Sequence, residues 1–452
     1  MAERERRTWQ NHIGFLRDFR KKFPTAAKML FPCENTGIPI TIKIFGFTGV
    51  SGGYGKKMDI PIIAAIKKQL PRKETTMSDP STAAYRLLTL ITLSGECSPD
   101  ILPRLGIGSS YGEKLLTRLK EDGLIKTHYK DRLRGLRLTY SGKEMLLSEN
   151  PDRFSFYLNG SSDTNHPRSD YPRRLRLQQS SIVYTMLLNS GVRLFRDHKP
   201  LLFQEEYRCR HGEPIHMELP AFYHSREVKE LGTETVKIGN SRIMGILFAN
   251  DCIYTLFYTG DSPMKWEYRT ELRVKTFLSY HASRGLLSKG HASPCYQPDT
   301  PVKALLIGSG MDTALKLMDS TGGFQKSCFY LDNSFDYFHY IPDNTAGETM
   351  LRLLCSPALQ KALRDLLLSD LQAPCPDYGL EHDAVSDGLP LLLAFDFDML
   401  RLSRFRTALS FHGLTGSLIC FDFQKPVLQQ YFGETVTIDT IDLEKFEGRF
   451  LQ

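Results

Sequence analysis

Few residues in the chain have the type and spacing to do chemistry. Glu227-Val228-Lys229 is an ExK triplet. A metal-dependent nuclease needs such a carboxylate–lysine pair at a strand end, with an acid upstream, to hold Mg2+ and orient water. Leu219-Pro220-Ala221 stands where the upstream Pro-Asp belongs. ExK also arises often by chance, as part of a solvated face. The sequence FDF occurs twice, at 395–397 and 421–423. Asp396, Asp398 and Asp422 then fall toward the C-terminal ends of apolar runs, where open α/β sheets bind ligands. Aspartates two apart on a strand share a face and can hold Mg2+. The favoured reading is that they cap the helices that follow.

Other patterns fail on inspection. TGVSGGYGKK (48–57) resembles a phosphate loop, but Val50 and Lys57 occupy positions that GxxxxGK[ST] reserves for Gly and Ser/Thr. Gly308-Ser309-Gly310 lacks the third glycine of a dinucleotide fingerprint, because Thr313 stands there. His211, His216, His224, His281 and His291 show no HxH or HxxxH spacing, so metal ligation is not supported. Cys209 and His211 form an unremarkable pair. A relaxase wants a tyrosine beside a histidine cluster, and no such cluster occurs. The catalytic candidates therefore reduce to Glu227, Lys229, Asp396 and Asp398. Mg2+ enters only if a nuclease reading holds, no other cofactor is implied, and an enzyme is the less favoured class.

The elements that would position these residues are legible from apolar spacing and punctuation. TAAYRLLTLITLSG (82–95) reads as a helix ending at Gly95. SPDILPRLG (98–106) offers Ser98 as N-cap, Pro99 at the first position and Gly106 as a stop. SSYGEKLLTRLKEDG (109–123) is a third helix, expected to start at a serine cap, with Leu115, Leu116 and Leu119 as its buried stripe. LIKTHY (124–129), a turn KDRLRG (130–135), and LRLT (136–139) predict a basic two-stranded ribbon. YSGKEMLLS (140–148) begins another helix. Helix, short helix, helix and ribbon make a winged helix-turn-helix.

Such a module lays its third helix in the major groove. Ser109, Ser110, Tyr111, Lys114 and Arg118 would face base edges. Lys126, His128, Lys130, Arg132 and Arg134 on the wing would meet phosphate or the minor groove. Use of the winged helix for protein contact is the alternative, and the basic wing argues against it.

Charge supports that placement. Arg104–Lys143 holds ten Lys/Arg against four Asp/Glu, whereas Asp312–Arg449 holds eleven against twenty, so the overall +7 hides a basic first half beside an acidic second half. A polyanion is the expected partner of the first half. The acidic part would dock a basic partner or the chain's own basic half. Residues 1–30 read as a basic amphipathic helix. Residues 150–173 read as a linker or surface loop, and 173–192 as a helix with a basic start.

RIMGILFANDCIYTLFYTGD (242–261) reads as a hairpin, and Arg269–Tyr280 as a helix. From 300 onward, apolar strands alternate with helices, at VKALLIGS, FDYFHYIP, LPLLLAFDFD, SLICFDFQ and VTIDTI. That pattern predicts a largely parallel sheet covered on both faces.

LRLTYSGKEML (136–146), RRLRLQQSSIVYTMLLNSGV (173–192) and ELRVKTFLSY (271–280), in this order, resemble the replication–relaxation proteins of plasmids and conjugative elements of Gram-positive bacteria. The resemblance is one of layout over about residues 80–280. It implies DNA binding during mobile-element replication or transfer, and it assigns no catalytic residue.

The sequence thus predicts an α+β or α/β multidomain chain. Its parts are a basic N-terminal segment (1–75), a winged helix-turn-helix (76–150), a linker (151–172), a mixed α/β domain with a degenerate nuclease-like option (173–295) and an acidic α/β domain (296–452). The expected function is that of a duplex-DNA-binding accessory protein of a mobile element. The alternatives are a metal-dependent nuclease targeted by the winged helix and a ligand-sensing transcription regulator.

Expected partners are double-stranded DNA and replication or transfer proteins, with a homodimer as one assembly and no membrane. The chain has 452 residues, no long uncharged apolar run, no signal-like start and nine scattered cysteines without CxxC. These features lead to the expectation of a cytoplasmic protein with free thiols.

Overall fold

A computed structural model describes residues 82–159, 170–199, 203, 220–230, 238–249, 251–283, 299–321 and 328–451. The basic N-terminal segment, the glycine-rich 48–57 stretch, Cys209, His211, His216 and His291 lie outside the described residues. The fold is mixed α/β, with three sheets among the described residues, two of which contain parallel strands.

Helix α1 (Ala83–Ser94) starts at the Thr82 cap and ends at Gly95, in the left-handed region. A 3-10 helix (Pro99–Leu105) follows, capped by Ser98 and closed by Gly106, as the punctuation predicts. Helix α2 (Ser109–Glu121) buries Leu115, Leu116 and Leu119. Its N-cap is Gly108, not a serine, and no side chain satisfies its first N–H groups. Strands β1 (Ile125–Lys130) and β2 (Leu133–Leu138) form an antiparallel ribbon. The expected six-residue turn shrinks to Asp131-Arg132, both at positive φ, a two-residue hairpin of type I′ geometry.

Helix α3 (Tyr140–Glu149) is capped by Thr139. Gly142 is needed there, because a Cβ would lie 2.2 Å from the Leu124 carbonyl oxygen. The expected linker is in part a helix, α4 (Pro151–Leu158), which buries Phe154, Tyr157 and Leu158. Pro151 at its first turn and the Asn150 cap start it.

Helix α5 (Tyr171–Asn189) leads into a five-stranded sheet of order β3-β4-β5-β6-β7. Its strands are β3 (Ala221–His224), β4 (Gly245–Phe248), β5 (Ile253–Gly260), β6 (Val302–Gly308) and β7 (Phe338–Pro342). β3, β4 and β5 pair antiparallel, and β5, β6 and β7 pair parallel. Short helix α6 (Ser225–Val228) follows β3, and α7 (Tyr268–Ser283) follows β5. Helices α8 (Met311–Met318), α9 (Thr345–Leu354) and α10 (Pro357–Leu368) come next.

The second sheet has the order β11-β10-β9-β8. It is built from β8 (Ala384–Ser386), β9 (Leu389–Leu393), β10 (Gly416–Phe421) and β11 (Val436–Ile441). Helices α11 (Met399–His412), α12 (Lys425–Phe432) and α13 (Leu443–Phe450) complete it.

The strands after residue 300 therefore do not make one parallel sheet. β6 and β7 extend the sheet of β3–β5, and β9–β11 form another, edged by the antiparallel β8. The expected divisions near 150, 172 and 295 all fall inside one compact unit, Thr75–Phe450. The reason is packing. Apolar residues of α1, α4, α5 and both large sheets join a single buried cluster, and β5–β6 pairing crosses the boundary near 295. No helix among the described residues is long and apolar enough to cross a membrane. Cys97, Cys252 and Cys420 are free and buried, and Cys355 is buried.

Candidate nucleic-acid interface

The outward face of α2 and the ribbon carry every cationic residue the sequence pointed to, on open surface. Ser109, Ser110, Tyr111, Lys114 and Arg118 are all exposed, while Leu115 and Leu119 hold the opposite face of the helix inside. On the ribbon, Lys126, Lys130, Arg132 and Arg134 are exposed and His128 is half-buried. Lys114, Lys126, Lys130, Arg132 and Arg134 pair with no carboxylate among the described residues. Among the described residues Arg118 has only a surface i,i+4 ion-pair contact, with Asp122 at 3.7 Å. Burial, helped by Arg137 and Arg174, lowers the His128 pKa, so this ring is neutral at pH 7 and contributes no charge. Two exposed tyrosines frame the cations, Tyr111 at 57% and Tyr129 at 68% exposure. Tyr129 has no clear signal in sequence beyond its outward place in the strand alternation.

The ribbon is anchored by a buried charge cluster that the sequence did not reveal as such. Glu96, fully buried, accepts from Arg137 Nε at 2.7 Å, Arg174 Nη2 at 2.9 Å and Gln178 Nε2 at 2.8 Å. Arg174, also fully buried, donates further to the carbonyls of His128, Lys130 and Leu133. Burial alone would raise the Glu96 pKa, but the bonds from Arg174, Gln178 and Arg137 outweigh it and hold the carboxyl below its ordinary value. Gly135 admits this arrangement, because a Cβ there would lie 2.0 Å from Glu96 Oε1. Helix α5 and the ribbon are thus locked together. The available signal was a lone glutamate ending an apolar helix and the Arg174/Gln178 pair at i,i+4 in RRLRLQQ.

Two concavities lie along α5. One, about 570 Å³, is at the C-terminal ends of β5, β6 and β7, where Gly260, Ser309 and Asp343 line it together with Asp100 and Arg104 from the 3-10 helix. There Tyr258 Oη donates to Asp343 Oδ2 at 2.8 Å, and burial raises the Asp343 pKa. Of the glycines in Gly308-Ser309-Gly310, Gly308 serves packing: a Cβ there would lie 2.5 Å from Tyr340 Oη, whereas one on Gly310 would meet open space. The second concavity, about 410 Å³, is lined by Arg176, His224, Ser241, Arg242, Tyr258 and Lys265 among others.

The carboxylate candidates are dispersed and already engaged. Glu227 lies on α6 rather than at a strand end, and it accepts from Lys199 Nζ at 2.9 Å and from the His224 backbone N–H at 2.8 Å. Lys229 is exposed and apart from it. Asp398 caps α11, its Oδ1 accepting from Leu400 N at 3.1 Å and Phe338 N at 3.0 Å. Burial raises its pKa. Asp396 lies 3.8 Å from His339 Nδ1, across the turn in which Phe397 takes a φ of 48°. Asp422 opens a 3-10 helix and accepts from the Phe423 N–H. Strands β4 and β5 carry no acidic residue. No group of three His, Cys, Asp or Glu side chains suited to a metal occurs among the described residues.

Comparison with protein-family models, with curated proteins and with solved structures finds no match.

Proposed function

We propose that the chain is a duplex-DNA-binding protein, that residues 82–149 act as a winged helix-turn-helix, and that its setting is the replication or transfer of a mobile element. The observation that carries the binding reading is the row of exposed, unpaired cations on a ribbon whose backbone is fixed from behind by Arg174. A rigid cationic ribbon neutralises phosphates without losing conformational freedom on binding. The free N–H groups at the start of α2 suit a phosphate oxygen, and Ser109, Ser110, Tyr111 and Lys114 next to them suit base edges.

Arg132 strengthens the reading. It sits at φ 61°, a conformation in which glycine would relax the turn. A cation held at that cost at the tip of the hairpin fits a contact role. The mobile-element setting rests on the layout resemblance of three segments alone.

A ligand-sensing regulator is the second reading. It is favoured by the 570 Å³ cavity, whose walls come from both the 3-10 helix and the strand ends. The nuclease reading has no such support, because the carboxylates and lysine it needs are not brought together.

The test is duplex binding measured across a salt series with random and selected sequences. Lys114→Ala and Arg118→Ala are expected to cost about 1–3 kcal/mol each and to relax sequence preference. Unchanged affinity in both variants contradicts the groove-reading role of α2. A small molecule that shifts duplex affinity and loses that effect when the cavity is filled by Ser309→Phe would move the balance to the regulator.

A further inference from the structure

The 410 Å³ cleft along α5 gathers charges that the fold does not use. Arg242 and Lys265 are exposed and form no ion pair among the described residues. Arg176 adds a third cation, whose side chain among the described residues bonds only to the Pro172 carbonyl, at 3.3 Å. No carboxylate lines this cleft among its described residues, while Ser225 and Gln179 supply neutral donors; the Ser180 and Ser241 hydroxyls donate instead to the Arg176 carbonyl at 2.8 Å and to Glu271 Oε2 at 2.7 Å.

His224 belongs to the same wall. Its Nδ1 accepts from the Arg226 backbone N–H at 2.9 Å, so the proton sits on Nε2. Burial, then Arg226, Lys199 and Lys229, keep the ring neutral. The floor includes Ile243, Met244, Met264 and Tyr258. A smaller adjoining cavity shares Ser241, Arg242 and Lys265 and adds Glu267 and Glu271. Burial pushes Glu271 up to about 7, so it offsets the cations only in part at neutral pH.

Like charges collected around one cleft repel, and an anion between them relieves that repulsion. Guanidinium, ammonium, hydroxyl and amide donors around an apolar floor match a phosphate attached to a nucleoside. We propose that the cleft lined by Arg176, Arg242 and Lys265 binds the phosphate of a nucleotide unit, with Ser225 and Gln179 as neutral donors. The unit is either a free nucleotide or part of a bound strand. The strand source rests on the DNA-binding reading above, and the free-nucleotide source does not. Arg176 lies two residues beyond Arg174, which holds the ribbon, so the ribbon and the cleft share one supporting helix.

The test compares the full chain with Arg242→Gln/Lys265→Gln, two exposed positions whose replacement leaves the core untouched; the unfolding midpoint checks this. Calorimetry with a 5′-deoxynucleoside monophosphate forms one arm, and the salt dependence of duplex binding forms the other. For a free nucleotide, one equivalent binds and the double variant weakens it about tenfold or more. For a strand, the monophosphate does not bind, and the salt slope of the duplex falls by about two units in the double variant. No nucleotide binding together with an unchanged slope overturns the inference. A wild-type chain that binds no duplex but still binds the monophosphate through these cations refutes the DNA reading and leaves the cleft standing.

Discussion

The two faces of α5 treat similar residues in opposite ways. Arg174 is fully buried and spends its donors on Glu96 and three ribbon carbonyls. Arg176, two positions on, is exposed and lines a cleft with other cations. The first is a structural fastener, and the second is available charge. Buried glutamates make the same contrast. Glu96 is held below the ordinary carboxylate range by two arginines and a glutamine, whereas Glu271, with the Ser241 hydroxyl and the Arg242 N–H, is pushed up to about 7. Net charge by region therefore says little until the internally consumed charges are removed. The acidic C-terminal half illustrates this, with Asp383 held by Arg364 and Arg401, and Glu348 held by Arg104.

The largest effect expected from this contrast is on stability. Arg174→Ala leaves Glu96 with fewer partners and removes a donor from three ribbon carbonyls, and should cost about 3–5 kcal/mol in urea unfolding. Arg176→Ala should stay within about 0.5 kcal/mol. Equal costs would dissolve the distinction between the two faces.

The glutamates should separate by pH. Glu271 has a raised folded pKa, so its contribution is favourable at low pH and is lost as pH rises from its ordinary value through about 7. Glu271→Gln should remove that falling limb, a gain of up to ~3 kcal/mol at pH 8.5 relative to pH 4.5. Glu96 runs the other way. Its stabilisation is present above the ordinary carboxylate pKa and disappears as pH falls through its lowered value. A Glu271→Gln profile parallel to wild type would show that the carboxyl is not buried as described.

Local punctuation made much of the ribbon region readable. Ser98, Pro99, Gly95 and Gly106 mark ends that the structure uses as expected. The hairpin β4–β5 and strand β11 were likewise legible from apolar runs. The failures share a cause, which is that chain order does not disclose partners far away in sequence. β6 and β7 read as the start of a new sheet, yet they complete the sheet begun by β3.

The tight turn at Asp131-Arg132 was missed because its residues are not the usual Asn-Gly or Asp-Gly, and the ribbon's length hid behind charged residues. Helix α4 was hidden by turn-forming neighbours. At the interface, exposure on α2 could be inferred from helical spacing. The clamp of Glu96, Arg137, Arg174 and Gln178 brings together residues 41 to 82 positions apart, a pairing no local pattern announces.

A smaller effect sharpens the distinction between fold and contact. Arg132→Gly should relieve the turn and raise stability by about 1 kcal/mol, while weakening duplex binding. Stability and affinity moving together would mean that Arg132 serves only the hairpin.

The central claim is that the ribbon's free cations grip a double-stranded polyphosphate. The most direct measurement is the slope of log affinity against log salt for wild type and for the Lys130→Ala/Arg132→Ala/Arg134→Ala variant, with unfolding curves to check that both are folded. The account predicts duplex binding by wild type and a slope shallower by about two to three units in the variant, similar on every sequence tried. An equal slope for both proteins, or no duplex binding by wild type at low salt, would contradict it.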